Sequence, residues 1–191
     1  MTARRTFTLI HRWLGLTTGF VTLVLALLGV LMAFADYIGR LTGTGHHTPF
    51  FAFLKQGHVS LWLPAEIGKP LEGYCMLGFV LICLSGLALW WRSKIFCPRT
   101  WKNPKALSYN LHIVIGFWLL VPLLYYSITG ALCGLPWLRD CLGLSESYRT
   151  IFALHKGAFL GNGGKLIVGT VSLALAVLPV TGLFIWKKKR R

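Results

Sequence analysis

The chain has 191 residues, of which 55% are hydrophobic and 13% charged, and its mean hydropathy is +0.63. These values exclude an ordinary soluble domain of this size and indicate an integral membrane protein in contact with the lipid bilayer. The net charge of +15 is also typical of nucleic-acid-binding proteins. Here, however, the charge lies in short segments next to apolar runs and not on a folded soluble unit, so we predict no nucleic-acid partner.

Four apolar runs follow one another along the chain, near residues 13–35, 73–91, 111–135 and 166–186. A helix of about 20 apolar residues crosses the roughly 30 Å of hydrocarbon in a bilayer. We therefore predict an all-α integral membrane fold with four transmembrane helices, forming a single domain over residues 1–191.

Basic residues are concentrated at the N-terminus, in the connection formed by residues 92–108, and in the C-terminal tail. These three segments hold thirteen Lys and Arg residues and no acidic residue, whereas all five Asp and Glu residues lie in the other two loops. Because short loops rich in Lys and Arg stay in the cytoplasm, we predict that both termini and the basic 92–108 loop are cytoplasmic.

The two halves of the chain are similar in sequence. The stretch that begins at His11 aligns without a gap with the stretch that begins at His112, and the later part of each half aligns as well. Self-similarity of this kind is typical of a structure built from repeated units. We predict two repeated hairpins, over residues 9–92 and 110–187.

Four histidines occupy matching places in this alignment. His11 falls on His112, and His58 and His155 stand at similar distances upstream of the second and fourth apolar runs. The predicted topology places the first pair near the inner leaflet and the second near the outer leaflet, on the order of 20 to 30 Å apart. We expect a short helix or loop, folded onto the outer face, to carry each histidine of the second pair.

Imidazole is a common axial ligand of haem iron, and two histidines per iron favour electron transfer over oxygen binding. The four histidines therefore predict two b-type haems with two histidine ligands each, bound without covalent attachment because no CxxCH motif is present. Gly15 and Gly116 lie one turn beyond His11 and His112. Such glycines allow close helix contact or close approach of a flat ring, and both interpretations stay open.

Other residues are less informative. His46 and His47 have no counterpart in the second half, and either a solvated turn or a role in capturing metal or substrate fits them. Cys133 and Cys141 are either unpaired thiols or a disulfide.

Two dipeptides recur near the ends of the second and fourth runs. Ser85 and Gly86 stand in the second run, and Thr181 and Gly182 stand in the fourth. Small residues at these positions are predicted to serve helix packing.

The motifs HRWLGL, SGLALWWR, TGLFIWKK and LHKGAFLG resemble the PepSY-associated transmembrane family, which includes bacterial inner-membrane reductases of ferric siderophores. The resemblance extends over nearly the whole chain. It implies an inner-membrane location, haem b held by the four matched histidines, and electron transfer to iron chelates in the periplasm. Larger members carry a PepSY domain between the first two helices, whereas here about 35 residues separate those helices.

The predicted function is electron transfer across the membrane by bound haem b. The donor would be a quinol or a cytoplasmic reductase and the acceptor a ferric chelate outside, so ferric-siderophore reductase activity is one candidate. Two alternatives stay open. The first alternative is a haem-free accessory protein of siderophore or metal uptake, and the second is the membrane anchor subunit of a larger oxidoreductase. A homo-oligomer is compatible with each of them.

Overall fold

A computed structural model describes residues 3–43, 48–93 and 104–187. Within these ranges the chain is helical and contains no strand. The helices are α1 (Ala3–Ala33), α2 (Ala35–Thr42), α3 (Pro49–Ser60), α4 (Ala65–Ser93), α5 (Pro104–Trp118), α6 (Leu120–Gly134), α7 (Pro136–Cys141), α8 (Tyr148–His155) and α9 (Gly161–Lys187). His46, His47 and most of the predicted basic loop lie outside the described residues.

Three of these helices, α1, α4 and α9, are long and apolar enough to cross a membrane. The helices α5 and α6 meet the same criterion only when they are taken together, which gives up to four spans in the described part of the chain. The structure therefore confirms an all-helical, multi-pass membrane protein.

The third span differs from the prediction of one continuous helix. The axes of α5 and α6 meet at an angle of 69° at Leu119. Pro122 lies in the first turn of α6 and has no backbone N–H, and a proline ring inside a helix clashes with the carbonyl four residues earlier, here that of Trp118. The aligned residue of the first half is Val21, and there α1 continues without a break.

The long helices pack as a bundle. α1 contacts α9 and α4 along much of its length, α4 also packs against α6, and α9 against α5. A buried cluster fills the middle of the bundle, formed by Phe79, Cys83, Leu123, Val171 and Leu178. We call the end where α1 and α5 begin the termini end, and the end that carries α2, α3, α7 and α8 the loop end.

A tight turn between α3 and α4 fixes the end of α3. Leu61 and Trp62 have φ values of 54° and 59°, in the left-handed region that such large side chains rarely adopt. The Trp62 indole N–H donates a hydrogen bond to the Phe53 carbonyl at 2.9 Å. Its ring covers Gly57, where any Cβ would lie 2.3 Å from the indole. These contacts stabilise the turn immediately after His58.

The end of α8 is fixed in a different way. Gly157 and Gly164 approach so closely that a Cβ on Gly164 would lie 1.8 Å from the Gly157 carbonyl oxygen. The Tyr125 hydroxyl donates a hydrogen bond to the Leu154 carbonyl at 3.1 Å, which joins α6 to α8. An ion pair between Asp36 and Lys165 also joins α2 to α9 at this end. These contacts position His155, the last residue of α8.

Cys133 and Cys141 are both free thiols in the structure, as are Cys75 and Cys83. Of the two alternatives predicted for Cys133 and Cys141, the structure therefore shows unpaired thiols and not a disulfide.

Candidate functional site

The termini end of the bundle brings His11 of α1 and His112 of α5 face to face. Their ring centres are 6.0 Å apart, and the ring planes are nearly perpendicular at 88°. Both side chains are partly buried. Because His11 lies in α1 and His112 in α5, the packing of α1 and α5 against α9 determines their separation.

The His11 imidazole is held by the C-terminal part of α4. Its Nδ1–H donates to the Ile82 carbonyl at 3.0 Å, with the Ser85 hydroxyl oxygen as a second acceptor at 3.2 Å. The Ser85 hydroxyl itself donates to the Ile82 carbonyl, so its oxygen is free to accept. The direction of these bonds fixes the hydrogen on Nδ1 of His11.

The His112 imidazole makes the equivalent contacts with α9. Its Nδ1–H donates to the Leu178 carbonyl at 3.1 Å and to the Thr181 hydroxyl oxygen at 2.9 Å. The Thr181 hydroxyl donates in turn to backbone carbonyls of α9. Leu178 and Thr181 align with Ile82 and Ser85 in the sequence, so aligned residues make the same contacts in both halves.

The loop end brings His58 and His155 together, with ring centres 6.5 Å apart and planes inclined by 28°. His58 lies in the last turn of α3, and its Nδ1–H donates to the Leu25 carbonyl of α1 at 3.1 Å. The Nδ1–H of His155 donates to the Thr129 hydroxyl oxygen at 3.0 Å. Thr129 donates its own hydrogen to the Tyr125 carbonyl. Each ring of this pair thus has one acceptor among the described residues.

All four rings therefore keep the Nε2 lone pair available. A histidine that binds a metal through one nitrogen usually donates the other N–H to a carbonyl or hydroxyl oxygen, as these do. Burial lowers the pKa of His58, and burial together with the nearby His58 lowers the pKa of His155 to about 4. Both loop-end rings are accordingly neutral at pH 7, which is the form that binds metals.

A glycine stands against each of the four rings. A Cβ added to any of these glycines would lie 3.1 to 3.5 Å from the Cε1 atom of the histidine. The pairs are Gly86 with His11, Gly182 with His112, Gly29 with His58 and Gly130 with His155. A Cβ on Gly86 or Gly130, at 3.1 and 3.3 Å, would press on the edge of the ring, whereas one on Gly29 or Gly182, at 3.5 Å, would make an ordinary contact with it.

A cavity of about 540 Å³ opens at the termini end between α1, α4, α5 and α9. Both His11 and His112 line it, and its volume lies within the range of cofactor pockets. Gly15 and Gly116 line it too: no side-chain or neighbouring-helix atom lies within 4 Å of a Cβ built on Gly15, and the nearest to one on Gly116 is a Leu178 methyl at 3.9 Å. These two glycines face open space rather than a neighbouring helix.

The sequence interpretation missed several residues at the rings. Ser85, Gly86, Thr181 and Gly182 were predicted to serve helix packing, but they contact the termini-end histidines. The signal was present, because a hydroxyl residue followed by glycine recurs at the aligned place in each half. Thr129 carried no such signal, since its aligned residue is Leu28.

The side chains that could bind a metal lie in pairs, with two histidines at each end of the bundle. Among the described residues, no group of three or more His, Cys, Asp or Glu side chains lies close enough to hold a metal ion. Structural zinc sites usually need four protein ligands. Two imidazoles supply only two, so a metal bound between them must receive its remaining ligands from another molecule.

The sequence also matches a known family. A family model described as the PepSY-associated TM region matches residues 37–146, which is more than half of the chain. The chain belongs to this family. His58 and His112 lie within the matched residues, whereas His11 and His155 lie outside them. No curated protein matches the chain, and no solved structure does.

Proposed function

We propose that the chain is an electron carrier of a bacterial inner membrane that binds two haem b groups, one at each histidine pair. One observation carries the proposal: the four histidines lie in two close pairs, and hydrogen bonds from Nδ1 leave every Nε2 atom free. Bound between two imidazoles, haem iron supplies a one-electron Fe(III)/Fe(II) couple.

The geometry of the residues fits that group. Two imidazoles that would hold one metal ion between them need ring centres about 6 Å apart. The observed separations are 6.0 Å and 6.5 Å. Haem would bring the remaining ligands of its iron, so His11 with His112, and His58 with His155, would each suffice to hold one group. The cavity beside Gly15 and Gly116 provides space for a flat ring at the termini end.

The two pairs are spaced along the bundle. Leu25, which holds His58, stands fourteen residues after His11 in α1, a rise of about 21 Å. Phe79, Leu123 and Leu178, which line the cavity at the termini end, belong to a buried apolar cluster. Two groups held by the histidine pairs would thus lie at different depths of an apolar bundle.

We further propose that the two halves are repeated hairpins and that the termini end faces the cytoplasm. The equivalent contacts of His11 and His112 support the repeat. The basic residues at the termini and in the 92–108 loop support the orientation. An electron from a quinol or a cytoplasmic reductase would then enter at the termini end.

We propose a ferric chelate as the acceptor at the loop end, where one electron converts Fe(III) to Fe(II). Membership of the PepSY-associated family supports the membrane location of this step. His58 and His155 lie in the last turns of the short helices α3 and α8, which belong to the loop segments at this end.

Reconstituted vesicles test the proposal. Vesicles that contain the haem-loaded protein would trap dithionite inside, with ferric citrate and the ferrous indicator ferrozine outside. We expect ferrous iron to form outside at a rate proportional to the amount of protein, and the rate to fall to that of protein-free vesicles in His58→Ala. Equal rates with and without the protein would contradict transmembrane electron transfer.

A further inference from the structure

Arg12 of α1 lines the cavity at the termini end beside His11. Its Nε atom is buried and has no hydrogen-bond partner among the described residues. Its guanidinium carbon lies 5.3 Å from the centre of the Trp13 ring, a contact that offers no hydrogen-bond acceptor for Nε. A buried guanidinium N–H without an acceptor is costly, and a bound oxygen anion would satisfy it.

The wall of this cavity provides no negative charge. The described residues that line it include two basic side chains, Arg4 and Arg12, and no Asp or Glu. All five acidic residues of the chain belong to segments near the loop end. An apolar cavity with a positive rim suits a ligand that has a flat apolar body and an acidic edge.

The two sides of the cavity differ. Ile113 occupies the position next to His112 that Arg12 occupies next to His11, and it also lines the cavity. The α1 side therefore presents a guanidinium and the α5 side a hydrocarbon. A ligand with acidic groups on one edge can satisfy Arg12 in only one of its two orientations.

We propose that Arg12 binds a propionate carboxylate of the haem held between His11 and His112, and so determines which edge of the macrocycle faces α1. This inference rests on the proposed function. A phospholipid phosphate offers similar acceptor oxygens, but such a headgroup lies at the bilayer surface. The burial of Nε in the cavity wall favours the carboxylate of a molecule inside the cavity.

The test compares haem b with haem b dimethyl ester, in which the carboxylates carry no charge. Full-length protein in lipid nanodiscs would be loaded with either compound, and the release of each to excess apomyoglobin would be followed by absorbance. We expect Arg12→Gln to release haem b from the termini end about tenfold faster than the unchanged protein does. With the ester, the two proteins should release at the same rate.

Two controls accompany this comparison. Arg5→Gln removes the same charge from an exposed position of the same helix, and it should change neither rate. Release from the loop end serves as an internal standard, because a misfolded variant would lose both components. If Arg12→Gln does not fold, Arg12→Lys decides: it should release haem b faster and the ester at an unchanged rate.

The outcomes separate the two proposals. Equal release of haem b from Arg12→Gln and from the unchanged protein overturns the role of Arg12. A difference that persists with the ester and depends on anionic lipid in the nanodisc overturns it in favour of a lipid phosphate. An unchanged protein that takes up no haem overturns the proposed function itself.

Discussion

The two histidine pairs are built differently although their ring separations are similar. At the termini end, His11 and His112 lie on the bundle helices α1 and α5, each has two acceptors for Nδ1, and their planes are nearly perpendicular. At the loop end, His58 and His155 lie on short helices, each has one acceptor in the described part of the chain, and their planes are closer to parallel.

This difference separates two ways of positioning a ligand. The termini-end rings are fixed by the packing of the bundle, which involves many contacts and resists local change. The loop-end rings depend on two turns, one through Leu61 and Trp62 and one through Gly157 and Gly164. Local opening costs least where few contacts hold a segment, so we expect the loop-end site to be the less rigid of the two.

Removal of a histidine should have the largest effect. We expect His11→Ala and His112→Ala to lose the same spectral component and roughly half of the haem b, since each pair holds one group. His155→Ala should remove the other component. Reduced-minus-oxidised spectra of the purified variants check this. Loss of one shared component in His11→Ala and His155→Ala would show that the pairing is wrong.

The second-largest effect is expected from a side chain that fills the cavity, because it should affect the termini end only. Gly15→Leu puts a side chain into the open space beside His11, so we expect it to abolish the termini-end component and leave the loop-end component intact. Gly163→Leu is the matched control, because Gly163 is exposed in α9, outside the cavity lining, and also has no neighbour within 4 Å. A normal haem content in Gly15→Leu would mean that the cavity holds no ring.

The difference in the number of acceptors gives a smaller effect. Thr129→Val removes the acceptor of His155, whereas Thr181→Val leaves His112 bonded to the Leu178 carbonyl. A buried N–H without a partner costs about 1 to 3 kcal/mol. We therefore expect haem release to accelerate about tenfold at the loop end in Thr129→Val and less at the termini end in Thr181→Val. The reverse order would contradict the assignment of acceptors.

Substitution of the ring-contacting glycines should have the smallest effect. A Cβ on Gly86 would lie 3.1 Å from Cε1 of His11, whereas one on Gly182 would lie 3.5 Å from Cε1 of His112. The first distance forces the ring to shift by a few tenths of an ångström, and the second is an ordinary contact. We expect Gly86→Ala to move the low-temperature α-band of the termini-end component and Gly182→Ala to leave it unchanged.

The sequence predicted the helical membrane fold and the family, because apolar runs of about 20 residues and repeated motifs need no tertiary information. The same alignment named His11 and His112 as partners, and the structure brings them together. It did not predict the bend before Pro122, since the apolar run of residues 111–135 is long enough for one continuous helix. The turn at Leu61 could not be predicted either, because large side chains rarely adopt a positive φ.

The roles of the residues that contact the imidazole rings could not be predicted from the sequence either. A serine or threonine before a glycine near the end of a membrane helix is usual in helix packing. Only the arrangement of α4 against α1 and of α9 against α5 shows that Ser85 and Thr181 meet imidazole rings. Contacts between helices far apart in the chain depend on packing angles that local pattern does not specify.

The most direct measurement is the haem b content of the purified protein after expression with ample haem supply, determined as the pyridine haemochrome. Two haem b groups per chain, reduced to one in His112→Ala and to one in His155→Ala, is the result expected from two histidine pairs. A chain that folds but contains no haem would contradict the account and favour a haem-free accessory protein of metal uptake.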